Sequence, residues 1–116
     1  YDTWQEGLTQ IFEAVLDNKT FIMNVYKSVE HKRIENFLYQ LTYQLIMDVV
    51  DEKCAKDNLA DEYKQFIADF YKYGFVGLML DWIDGGMKED YNRIVEQLSV
   101  TLHGNITNSI HNFEEL

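Results

Sequence analysis

Three observations predict an all-α fold, a single bundle of about five helices. The first is the lack of any proline in 116 residues, since proline is the strongest helix breaker and loops usually carry some. The second is that apolar residues recur at three- and four-residue spacing along each long segment, with no strand pattern evident. The third is the stretch 75–83, where eight of nine positions are apolar or glycine. A helix apolar on every side must be buried on every side. One layer of neighbours rarely covers such a helix in so short a chain, so part of its surface is assigned to a second copy. The length fits one domain, large enough to bury about two-thirds of its unfolded surface.

The first helix is opened by Thr3, Trp4, Gln5 and Glu6, whose spacing allows a reciprocal capping box, and Trp4, Leu8, Ile11, Phe12 and Val15 share its face. Turn chemistry at residues 17–20 separates it from a shorter amphipathic piece carrying Phe21, Ile22, Val25, Tyr26 and Val29, which ends near residues 28–31. A third helix is expected over about 32–54. Ile34, Phe37, Leu38, Leu41, Leu45 and Val49 form one stripe on it, and Tyr39, Tyr43, Ile46 and Val50 a second. Two stripes suit a central helix with two neighbours.

Residues 56–60 form the next connection, with Asp57 and Asn58 as candidate caps. The fourth helix covers about 59–84 and stops at Gly85 and Gly86, since glycine readily takes the left-handed conformation that ends helices. The fifth begins near 89–91 and runs to about Phe113, with Ile94, Leu98, Leu102, Ile106, Ile110 and Phe113 in one stripe and Ser99, His103, Thr107 and His111 beside it. No internal repeat, low-complexity tract or flexible linker is visible.

A formal net charge of −10 argues against phosphate backbones and anionic membranes as direct partners. The longest apolar run is also short of the roughly 20 residues a membrane span needs. One cysteine, Cys54, cannot make an internal disulfide, which suits a reducing, cytoplasmic setting. The first residues lack a signal peptide's basic start and apolar run, and with no initiating Met the chain reads as a piece beginning at a domain boundary.

Chemistry finds little purchase. His103 and His111 lie two turns apart, about 12 Å at 1.5 Å per residue, too far to share one ion without further ligands, so neither a metal nor a cofactor is expected. Asp81 and Asp84, near a helix end, suit a solvated position. Cys54 has Lys53 and Lys56 nearby but no local histidine, and Ser99 with His103 lacks an orienting third group, so no catalytic residue is assigned and the chain is not read as an enzyme. Gly74 and Gly77 sit inside a helix on the face that also carries Phe70 and Asp81. The favoured role of that bare face is close packing of another backbone, with ligand approach or a bend as alternatives. Phe12, Tyr26, Phe37, Tyr63, Phe66, Phe70 and Tyr71 either line an apolar pocket with a few hydroxyls or form an ordinary aromatic core.

The pattern Phe70-Tyr-x-Tyr-Gly-x-x-Gly, then Trp82 and Gly86-Met87, followed by a long last helix, resembles the C-terminal effector and dimerisation domain of TetR-family transcriptional regulators. The opening run 1–7 adds to the likeness, which spans nearly the whole chain. Within the family the chain is most similar to a Firmicute-type branch that includes activators of dihydroxyacetone-kinase operons. The resemblance implies a homodimer whose last two helices, about 59–84 and 91–113, pair with those of a second subunit as a four-helix interface. Interface candidates are Phe75, Leu78, Met79, Trp82, Leu102, His103, Ile106 and Ile110. It also implies a small-molecule effector or a regulatory protein partner. DNA would be contacted only through an N-terminal helix-turn-helix domain absent from this sequence. An alternative is a protein-interaction module with no small-molecule ligand.

Overall fold

The computed structural model describes residues 3–54 and 59–116, and all regular structure within them is helical. Helix α1 spans Thr3–Asp17, α2 Lys19–Tyr26, α3 His31–Lys53, α4 Asp61–Asp84, α5 Tyr91–Thr101 and α6 Asn105–Glu114. The all-helical bundle expected from the sequence is therefore present. Asp57 and Asn58, the caps expected in the α3–α4 connection, lie outside the described residues.

Helix α1 buries Trp4, Leu8, Phe12 and Val15, one face at near-helical spacing. Thr3 is already helical and its hydroxyl donates to Glu52 Oε2 at 3.4 Å, so the expected capping box with Thr3 as cap is replaced by a tether to α3. Gly7 leaves room for the Leu45 side chain of α3 against α1, because a Cβ there would collide with it. The break between α1 and α2 is tighter than the predicted four-residue turn. Only Asn18 leaves the helix, and its amide donates to the Ala14 carbonyl at 2.8 Å. Val29, expected on the apolar face of α2, instead stands almost fully exposed in the turn after it. There the Ser28 hydroxyl donates to Val25 O and accepts from the Glu30 N–H.

The buried seam of α3 is Ile34, Leu38, Thr42, Ile46, Val49 and Val50, which draws on both predicted stripes. Phe37 and Leu41 point outward instead. Thr42 is fully buried and its hydroxyl has no hydrogen-bond partner. Helices α3 and α4 form an antiparallel hairpin, with Tyr39 against Tyr73 near one end and Asp51 paired to Lys64 near the other.

Helix α4 ends as expected: Gly86 has φ 85°, and the Met87 N–H reaches back to the Trp82 carbonyl at 2.9 Å. Met87 also takes a left-handed φ of 57°, unusual for a residue with a side chain, while that side chain is buried. Asp90 then caps α5, its carboxylate accepting from the Asn92 N–H at 3.0 Å.

The segment read as one fifth helix is two, divided at residues 102–104, where Gly104 has φ 75°. The stripe from Ile94 to Ile110 advances in four steps of four residues, each turning about 40° past a full turn at 3.6 residues per turn. A straight helix would carry Ile110 about 160° away from Ile94. The left-handed glycine resets the direction, so α5 packs on α1 while α6 packs on α3 and runs antiparallel to α4.

The Cα atoms fill a slab of 46 × 27 × 17 Å with a radius of gyration of 15.1 Å, against about 13 Å for a compact chain of this length. A thin, long slab leaves much of each helix within reach of a surface.

Candidate functional site

Helix α4 divides into two faces. Its inner face carries Tyr71, Phe75, Met79 and Trp82, the last three 1%, 0% and 4% exposed. Phe75 meets the Trp4 ring at 5.1 Å, and Trp82 meets Phe12 edge-on at 5.0 Å, while Phe12 stacks on Tyr91 at 5.8 Å. The Trp82 indole N–H donates to the Glu89 carbonyl at 2.7 Å, tying α4 to the connection that follows it. Tyr71 is buried beside α6, its hydroxyl 3.3 Å from Ser109 Oγ.

The outer face is apolar too. Phe66, Phe70, Tyr73 and Leu78 are 61%, 65%, 59% and 42% exposed. Around the helix, Phe66, Phe70, Tyr73, Gly74, Gly77 and Asp81 fall in an arc of about 100°, at 100° per residue. A Cβ added at Gly74 or Gly77 would meet nothing within 4 Å. Each glycine costs about 1 kcal/mol against alanine in a helix interior, and no close neighbour in the protomer requires the missing Cβ. Beside this arc Lys72 pairs with Asp69 at 2.9 Å and lies 5.3 and 4.9 Å from the Tyr43 and Tyr73 ring centroids. The Asp69 hydrogen bond holds the Lys72 ammonium above its usual range, against the opposing effect of burial.

Two of the surface clefts are the more apolar ones. One of about 450 Å³ runs between α1, α2 and α3, lined by Gly7, Ile11, Ala14, Phe21, Phe37 and Leu41 among others, and is mostly apolar. The other, about 560 Å³, opens between the C-terminal half of α4 and α5, with Leu78, Trp82, Ile94 and Leu98 joined by Asp81, Lys88 and Glu89.

The sequence-predicted residues are spread across these places. Of the aromatic set, Phe12 and Tyr71 are sealed in the core, Phe37 lines the α1–α2–α3 groove, and Phe66 and Phe70 stand on the outer face of α4. Tyr63 stacks on Phe113 at 4.7 Å. Tyr26 is half-buried at the end of α2, where burial first, then Asp84, Glu35 and Asp81, raise its phenol above the ordinary value. Of the interface set, Leu78 and His103 are exposed and Leu102 partly so, while Phe75, Met79, Trp82, Ile106 and Ile110 are buried within the protomer. Phe66, Phe70 and Tyr73 stand outward. The signal was available in the angle they share with Gly74 and Gly77.

The chain belongs to the TetR family of transcriptional regulators: residues 2–104 match the family model described as the transcriptional regulator C-terminal region. The family implies a non-enzymatic regulator. No curated protein and no solved structure matches the chain. Among the described residues no group of three His, Cys, Asp or Glu is placed to hold a metal ion, and no helix is long and apolar enough to cross a membrane.

Proposed function

We propose that this chain is the regulatory body of a cytoplasmic TetR-type regulator that works as a homodimer. In this reading an effector or partner bound to the body shifts the spacing of paired DNA-binding domains supplied by an N-terminal helix-turn-helix. The shift requires the bound species to prefer one of two arrangements of the dimer. The observation that carries the reading is the outward aromatic face of α4 on a domain of this family. The motif from Phe70 through Trp82 to Gly86 supports a place beside activators of dihydroxyacetone-kinase operons. Sedimentation across 1–100 µM, chosen as roughly the range around a micromolar dissociation constant, tests the dimer, and a strict monomer throughout would overturn it.

A small-molecule effector is best supported in the apolar α1–α2–α3 groove, where Phe37 is the one member of the predicted aromatic pocket among the lining residues. A second reading rests on the same groove. Phe21, Phe37 and Leu41 stand exposed along it, which also suits the apolar side of a partner protein's helix. Thermal-shift screening separates the two: a specific metabolite raises the melting temperature by mass action, whereas stabilisation only by a protein partner would favour the interaction module.

A further inference from the structure

Another groove, of about 440 Å³, runs along the α3–α4 hairpin, where Tyr39 and Tyr43 of α3 face Gln65, Asp69 and Lys72 of α4. Its size falls within the range of about 300–1,000 Å³ usual for small-molecule sites. Helical spacing assembles it. Tyr39 and Tyr43 are i,i+4 neighbours on one helix, and Asp69, Lys72 and Tyr73 lie within four residues on the other.

Lys72 behaves there unlike a surface lysine, which lays its stem on apolar surface and sends its ammonium into water. Its side chain is only 18% exposed, and the ammonium lies 5.3 Å from the Tyr43 ring centroid and 4.9 Å from that of Tyr73. The Asp69 carboxylate is 2.9 Å away. Tyr39 stands edge-on to Tyr73 at 5.5 Å and supports that ring from behind the contact. Ring faces carry partial negative charge and attract a cation within about 6 Å. Two such faces and a carboxylate around one ammonium make a box for an organic cation, and here the chain fills it with its own.

The occupant is held by contacts that exchange easily. An i,i+3 pair between partly exposed groups contributes little, and the four-carbon stem of Lys72 is flexible enough to swing out. The lining selects the kind of cation that could replace it. Hard metal ions need several oxygen ligands, whereas Asp69 is the one carboxylate among the residues lining this groove. Aromatic faces instead favour the diffuse charge of an alkylated ammonium. The chain's net charge of −10 raises the local concentration of any cation.

We propose that this groove is a binding site for a small organic cation, a quaternary or alkylated amine, whose head takes the place of the Lys72 ammonium between Tyr43, Tyr73 and Asp69. Lys72 is then a tethered competitor that keeps the site closed to weaker ligands. The site shares no lining residue with the α1–α2–α3 groove and rests on neither reading of that groove.

Tetramethylammonium chloride is the probe, titrated by NMR to about 10 mM to cover millimolar dissociation constants, against sodium chloride at equal ionic strength. In the wild-type chain, ring currents should move the bound methyl resonance upfield and shift the ring protons of Tyr43 and Tyr73. Lys72→Ala removes the competitor and should lower the dissociation constant at least tenfold. Tyr43→Leu in that background should raise it at least tenfold again. No upfield shift with either the wild-type chain or Lys72→Ala would overturn the site. Equal affinity in the two would overturn the role of Lys72 as competitor, and with it the proposal. Binding that survives Tyr43→Leu would show general attraction to an acidic surface and overturn it as well. Should Lys72→Ala fail to fold, judged by its urea midpoint, the wild-type titration decides alone.

Discussion

The inner and outer faces of α4 are almost equally rich in aromatic residues, yet they are held in opposite ways. On the inner face Phe75 meets Trp4 of α1 and Trp82 meets Phe12 of α1 and Tyr91 of α5, while Tyr71 packs beside Phe75 on the same helix. On the outer face Phe66, Phe70 and Tyr73 remain mostly in solvent, beside two glycines that nothing fills. Apolar composition alone does not tell a core from a contact surface. The difference lies in whether the protomer supplies the neighbours.

The sharpest break in this comparison comes from truncating each face in turn. Trp82→Ala or Phe75→Ala should cost about 3–5 kcal/mol of folding stability, the range for large buried aromatic residues, measured by urea denaturation of the monomer. Phe70→Ala should leave monomer stability within about 0.5 kcal/mol while weakening association. If Phe70→Ala unfolds the protomer as Trp82→Ala does, the two faces are not distinct.

Smaller effects sharpen the same contrast. Thr42→Val removes a buried hydroxyl without a partner and keeps the shape, so it should stabilise the fold by about 1 kcal/mol; a loss of stability would show that the hydroxyl is satisfied after all. Gly104→Ala, at φ 75°, should instead destabilise by about 1 kcal/mol, the reverse of the gain expected at Gly74. Raising salt should tighten association modestly, because it screens repulsion between two chains of charge −10. Dimers that loosen in salt would point to ion pairs across the interface.

Alkali should act last and least. Lys72 and Tyr26 are both raised from their usual 10.5 and 10.0, so the folded protein holds these protons more tightly than the unfolded chain does. Stability from them is complete below about pH 10 and falls as pH rises through the folded values. Lys72→Met should flatten that alkaline slope in a pH series of denaturation midpoints.

Much of this architecture was legible in the sequence because it is written locally. The stop at Gly85 and Gly86, the start at Asp90 and the seam Trp4, Leu8, Phe12 and Val15 each depend on residues within a few turns. What escaped depends on which neighbour comes near. Two apolar stripes on α3 did not reveal that Thr42 would be buried and Phe37 left out, because both stripes satisfy the same period. On α4 the helix is apolar nearly all round, so periodicity fixes no inward direction and does not tell that Trp82 turns into the core while Phe66 and Phe70 stand in solvent. The break at Gly104 was visible only as a slow drift of the last stripe around its axis.

The placement of the two indoles also has an optical consequence. Trp4 and Trp82, the two tryptophans of the chain, are both sealed inside the protomer, and one of them donates its N–H to a main-chain carbonyl. Their emission therefore reports whether a protomer is folded, and each indole should shift toward the red as unfolding brings it into water.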